Sequence, residues 1–185
     1  MSKILLAVAA SVLAMAAGNA SAANSMNTGT LGLNVGFTNP TAVGGSGNTP
    51  SAFMVNGKYF IGKDMAVLAG LGLSINDSGG AANAKSTAIG FMAGIRKYLK
   101  TEDFAPFMGA RFQYLSTRQA ANDVTDFSFG VEGGAEYFLA KQFSVEGSVG
   151  FGYSSTEYSP VAGGPSTKAT ALGSKTYNIA ANFYF

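Results

Sequence analysis

The chain has no cysteine, no histidine and no tryptophan, and only 12% of its 185 residues are charged. Without cysteine it can form no disulfide staple and carry no lipid-modified cysteine, although an exported chain would be free to form disulfides. Without cysteine or histidine there is no thiolate or imidazole metal constellation, and the scattered Asp64, Asp77, Asp103 and Asp123 lack the spacing of a calcium loop. No metal and no cofactor is therefore expected. The charge content is about half that of ordinary soluble domains, and no basic run offers a grip on nucleic acid or heparin-like polymers. Gly-x-Gly pieces such as Gly70 to Ser74 are not phosphate loops, because no helical pattern follows them.

Long apolar runs are scarce as well. The run from Ile4 to Ala17 falls short of the about 20 residues of a membrane-spanning helix. It follows a single Lys3 and precedes Ala20-Ser21-Ala22, the small residues a signal peptidase reads. The expected division is a cleaved signal peptide over residues 1–22 and one domain over residues 23–185. Removing Lys3 from the 12 basic residues leaves 11 against 10 acidic ones, so the exported chain is close to neutral.

What is abundant is glycine, 25 residues, together with 14 Phe and 8 Tyr. They fall into a period of two, with no 3.6-residue spacing. Eight alternating segments follow one another: 31–37, 52–61, 65–73, 89–96, 104–115, 127–137, 143–153 and 177–185. The seventh sets Phe143, Val145, Val149, Phe151 and Tyr153 against Ser144, Glu146, Ser148, Gly150 and Gly152. The last sets Tyr177, Ile179, Ala181, Phe183 and Phe185 against Asn178, Ala180, Asn182 and Tyr184.

Eight such strands can close into a barrel, and the polar face decides its orientation. It is mostly Gly, Ser, Asn and Ala, too small and too neutral to keep a soluble barrel in water. The reverse arrangement fits, with the apolar face on lipid and small polar residues filling a narrow interior. The expected fold is all-β: an eight-stranded antiparallel up-and-down transmembrane β-barrel. Connection lengths agree with it. Segments 38–51, 75–86, 116–126 and 154–175 read as long outer loops, whereas 62–64, 100–103 and 140–142 read as tight periplasmic turns. Tyr59, Phe104, Tyr137, Phe143 and Phe183 would form the lower aromatic girdle, and Phe37, Phe53, Tyr114, Phe127 and Tyr153 the upper one.

The terminal Phe185 with alternate apolar residues behind it, and "GIRKYL" at Gly94 to Leu99, carry a resemblance to the OmpA/OmpX-like eight-stranded outer-membrane barrels. The resemblance spans Thr30 to Phe185 and implies an outer-membrane location in a Gram-negative bacterium, with outer-membrane lipid around a monomeric barrel. It also implies that the barrel-assembly machinery reads the C-terminal strand through Tyr177, Ile179, Phe183 and Phe185. Hydrolases similar to this group use a histidine with a serine, and this chain has none, so no enzymatic activity is expected. Lys97 departs from the pattern by facing lipid. Near the periplasmic end its long side chain snorkels at a cost of about 0–1 kcal/mol rather than about 2–4 at the midplane.

Six charges alternate inward: Lys58, Arg96, Arg111, Glu132, Glu136 and Glu146. Three of each sign predict a lumen plugged by a salt-bridge network, whereas a ring of one sign would predict a filter. Counting from the short turns gives two layers, with Lys58, Arg96, Glu136 and Glu146 below Arg111 and Glu132. Glu136 and Glu146 stand side by side and need a cation between them, for which Arg96 is the first candidate. The expected role is structural or surface-interacting, with a possible extracellular ligand at the loops, where Tyr158, Pro160 and Val161 form the sticky cluster. The alternative is a small pore for small or hydrophobic solutes, similar to OmpW-like barrels.

Overall fold

A computed structural model describes residues 25–36, 53–77, 85–119 and 122–185. Residues 1–22, Phe37 and the 38–51 connection lie outside them, as do the side chains of Phe53 and Tyr177. Alternation of lipid-facing and lumen-facing residues produces eight strands: β1 (Leu31–Gly36), β2 (Phe53–Phe60), β3 (Met65–Asp77), β4 (Lys85–Tyr98), β5 (Phe104–Arg118), β6 (Asn122–Ala140), β7 (Phe143–Pro160) and β8 (Thr167–Tyr184). Each pairs antiparallel with the next, and β1 pairs with β8 from Gly32 opposite Tyr184 to Gly36 opposite Ala180, closing the barrel. Closure removes the free edges that an open sheet would expose.

The polarity is inverted relative to a soluble protein. Leu71, Leu73 and Ile75 of β3 are among its most exposed side chains, while Lys58, Arg96 and Glu136 are almost completely buried. The cause is the period of two: in β4, Ile89, Phe91 and Ile95 point outward, and Gly90, Met92, Arg96 and Tyr98 point inward. Of the girdle residues, Tyr59, Phe104, Tyr137, Phe127 and Tyr153 are exposed on the outer wall.

The tight turns occupy residues 61–64, 99–103 and 141–142. Adjacent ones are stitched together, because Tyr98 N–H donates to the Asp64 carbonyl (2.7 Å) and Phe138 N–H to that of Asp103 (2.8 Å). Lys97 does more than snorkel: its ammonium donates to the Asp64 carboxylate on the neighbouring turn, and this holds the Asp64 carboxyl below its ordinary range.

Between the described strands, three of the outer connections are shorter than expected. β7 and β8 stay paired up to Tyr158 opposite Thr167, leaving only residues 161–166 as a turn, where Gly163 (φ 83°) and Gly164 (φ 150°) take backbone conformations that side chains disfavour. Likewise β5 and β6 leave only 119–121 between them, and β3 and β4 leave 78–84. Hydrophobic alternation does not reveal these extensions, because above the membrane both faces of the hairpin meet water and the ladder is held by its backbone hydrogen bonds. Spanning needs about 9–11 residues, so the 18 residues each of β7 and β8 project well beyond the bilayer.

β8 contains a second departure. Ser148 pairs with Asn178 but Val149 with Thr176, so Tyr177 is an extra residue in a β-bulge. The bulge shifts the alternation by one, and Leu172 and Ile179, seven residues apart, both point outward.

Candidate functional site

The lower lumen begins with an aromatic floor. Phe60, Tyr98, Phe107, Phe138 and Tyr184 come from the periplasmic ends of β2, β4, β5, β6 and β8, and Met26 joins them from the segment before β1. Rings pack at 5.6 Å (Phe60–Tyr98), 5.7 Å (Tyr98–Phe107) and 5.5 Å (Phe138–Tyr184) between centroids. The segment carrying Met26 is anchored by Gly29 N–H donating to the Phe60 carbonyl (2.8 Å) and by Ser25 Oγ donating to the Lys141 carbonyl.

Directly above lie all six inward charges, each no more than 6% exposed. Glu136 and Glu146 are cross-strand partners on β6 and β7, and the cation between them is Lys58, whose Nζ lies 2.8 Å from Glu136 Oε2 and 2.9 Å from Glu146 Oε2. This corrects the assignment of Arg96 to that place. Arg96 instead joins Glu146 (Nη1 to Oε2, 2.7 Å) to Glu132 (Nη2 to Oε1, 3.1 Å), and Arg111 Nε completes the chain 2.9 Å from Glu132 Oε2.

Hydrogen-bond register explains the correction. Arg96, Gly109 and Glu132 form one row across β4, β5 and β6, so two of the supposed layers meet in a single row; barrel stagger makes a residue count from the turn a poor measure of height. The glycine at the centre lets the guanidinium reach across, since a Cβ on Gly109 would lie 3.2 Å from Glu132 Oε1 and 2.5 Å from the Ile95 carbonyl oxygen. Lys58, Gly32 and Tyr184 make a second such row over β2, β1 and β8, in which Lys58 Nζ donates to Tyr184 Oη at 2.9 Å.

Neutral groups fill the remaining valences. Glu136 accepts from Tyr98 Oη (2.7 Å), Asn182 Nδ2 (3.2 Å), Ser144 Oγ and Tyr184 Oη. Glu146 accepts from Asn182 Nδ2 (3.1 Å) and Asn34 Nδ2 (3.2 Å). Arg96 also stacks on Phe107, 3.6 Å from its ring centroid. Beside the network, Asn34, Asn56, Leu68, Met92 and Arg111 enclose about 10 Å³, room for about one water.

Sequence reasoning missed the floor and the tyrosine hydroxyls that join it to the network. The signal was present: Tyr98 shares the parity of Arg96, and Phe138 that of Glu136. Met26 had no such signal, because it precedes the first strand. In the C-terminal strand, Ile179 and Phe185 are exposed on the outer wall, Phe183 is half-buried with its ring 5.1 Å from that of Phe143, and Phe185 N–H donates to the Leu31 carbonyl (2.9 Å). Tyr177 contributes its backbone to the bulge.

A closed eight-stranded barrel with an apolar outer wall, aromatic borders and a charged, filled interior defines an integral outer-membrane β-barrel protein. The chain belongs to the family described as outer membrane protein beta-barrel domain, whose sequence model matches residues 5–185. Among solved structures it is similar to the outer membrane protein AlkL in DMPC bilayers, determined by solid-state NMR, with a TM-score of 0.55 and 13% identity over 90% of this chain and 94% of that one. It is also similar to Ail, the attachment invasion locus protein of Yersinia pestis, with a TM-score of 0.46 and 11% identity over 85% and 99% of the two chains. No curated protein sequence matches it. At such identities the likeness concerns the fold alone.

Proposed function

We propose that this protein is a non-conducting, non-enzymatic outer-membrane barrel with a structural or surface-interaction role, exercised through the hairpins that project above the bilayer. The observation that carries the reading is the lumen: three cations and three carboxylates, each within 3.1 Å of an opposite charge, lie over an aromatic floor. A path for ions or solutes would have to break several of these contacts at once, and breaking a buried pair costs roughly 3–5 kcal/mol. Glu136 and Glu146 are unsuited to acid–base catalysis because every one of their oxygens is already engaged and no substrate reaches them.

The exposed Tyr158 and Val161 stand with Pro160 at the tip of the β7–β8 hairpin, a paired scaffold on which an extracellular ligand could dock. The remaining parts of the reading are a signal peptide cleaved after Ala22, a monomer in the membrane of a Gram-negative cell, and assembly through the C-terminal strand. The test is single-channel recording of the refolded protein in a planar bilayer. Silence is the expected result. Reproducible steps from the unaltered protein would transfer it to the alternative class, a small pore for small or hydrophobic solutes.

A further inference from the structure

The outer wall carries a feature that neither plug nor hairpin uses. Where β6, β7 and β8 leave the membrane, Thr125, Phe127, Tyr153, Ser155, Glu157 and Lys168 line an open groove of about 260 Å³. Register brings them together: Thr125 stands opposite Glu157, Phe127 opposite Ser155, and Glu157 opposite Lys168. Their parity places all six on the lipid-facing side.

Height follows from strand geometry. Phe127 lies ten residues along β6 from the lower-girdle Tyr137, and Tyr153 ten residues along β7 from Phe143. Ten residues at about 3.3 Å each, tilted by about 40°, climb about 25 Å, the height of the apolar band. The two rings therefore mark the upper edge of the hydrocarbon. Thr125, Ser155, Glu157 and Lys168 stand in the headgroup layer above it, and Phe129, Val131, Phe151 and Leu172 form an exposed apolar wall below.

The lining combines aromatic faces, hydroxyls with a carboxylate, and one ammonium. Aromatic faces pack against the C–H edges of a sugar ring, while Glu157, Ser155 and Thr125 can bond its hydroxyls and Lys168 a phosphate. The volume lies just under the about 300 Å³ at which small-molecule pockets begin, which suits one phosphorylated sugar unit and not a whole lipid. We propose that this groove seats the phosphorylated sugar headgroup of an outer-leaflet glycolipid, with its ring on Phe127 and Tyr153 and its phosphate on Lys168. The occupant is a lipid and not a soluble phosphosugar because Tyr153 of the groove pairs with Phe129 and Leu172 of the apolar wall, along which acyl chains would continue the contact.

Native mass spectrometry of the whole refolded protein in detergent tests this, with diphosphorylated lipid A as the probe and phosphatidylglycerol as the comparison. The expected result is one lipid A bound at least about tenfold more tightly than phosphatidylglycerol, and a loss of about five- to tenfold in both Lys168→Gln, the size of one charge-assisted contact, and Phe127→Ala, which removes the face on which the sugar ring packs. Both side chains are exposed, so an unboiled gel shift will show that the variants still fold; Lys63→Gln, at the periplasmic end, should bind as the unaltered protein does. Equal affinity for the two lipids, or unchanged lipid A affinity in both groove variants, overturns the site. Displacement of lipid A by an equal concentration of glucosamine 1-phosphate overturns the lipid as its occupant.

Discussion

Glu136 shows what a single residue does in this lumen. Its two oxygens accept from Lys58, Tyr98, Ser144, Asn182 and Tyr184, so replacing it with glutamine leaves Lys58 with half its counter-charge and sets an amide donor against other donors. Glu136→Gln should lower stability by about 3–5 kcal/mol, read as the urea midpoint of the unboiled gel shift in detergent; an unchanged midpoint would refute the network. The small residues matter equally. Gly109 sits under the Arg96–Glu132 bridge, and Gly109→Ala brings a methyl against backbone and carboxylate. Overpacking of this kind costs about 1–3 kcal/mol, measurable by the same assay. The inward charges were legible from sequence because alternation fixes each residue's side. Which cation meets which carboxylate was not legible, because Lys58 and Glu136 are 78 residues apart and only barrel closure brings them together.

Among the strands, β8 is the informative case. Its lower half alternates from Ile179 to Phe185 and could be read directly, whereas the upper half runs in the opposite phase because Tyr177 is inserted. Deleting Tyr177 should only straighten the strand, because Asn178 stays opposite Ser148 and Thr176 opposite Val149, whereas deleting Gly173 from the regular ladder should bring Leu172 opposite the lumen-facing Gly152 and slip the rest of β8 by one residue against β7. The expected outcome is an unchanged yield of the fast-migrating folded band on an unboiled gel for the Tyr177 deletion and a sharply reduced yield for the Gly173 deletion. The extended hairpins illustrate the same limit of periodicity. A strand is visible in sequence when one face meets hydrocarbon and the other a polar interior, and β7 beyond Ser154 meets hydrocarbon on neither face.

For the molecule as a whole, the lumen and the wall are separate devices. On the proposed reading the network and aromatic floor block the barrel axis, so conductance should respond to lumen variants alone. If the plug is electrostatic, Arg96→Gln, which takes one of two cations from both Glu132 and Glu146 and leaves them to Arg111 and Lys58, should produce current steps in a planar bilayer where the unaltered protein is silent. Silence from both would assign closure to the aromatic floor with Met26. Lys168→Gln should leave conductance untouched, since its side chain lies on the outer wall.

The sequence by itself determined the class of fold, its inverted polarity and the side of the wall on which each charge falls, because these depend on a two-residue period and on the scarcity of charge, both local properties. Tertiary structure alone decided the pairing within the lumen, the rows in which a glycine lets two long side chains meet, the seat of Met26 in the floor and the groove on the outer wall. Each of these depends on register between distant strands and on the stagger with which eight strands close, and no short window of sequence contains that information.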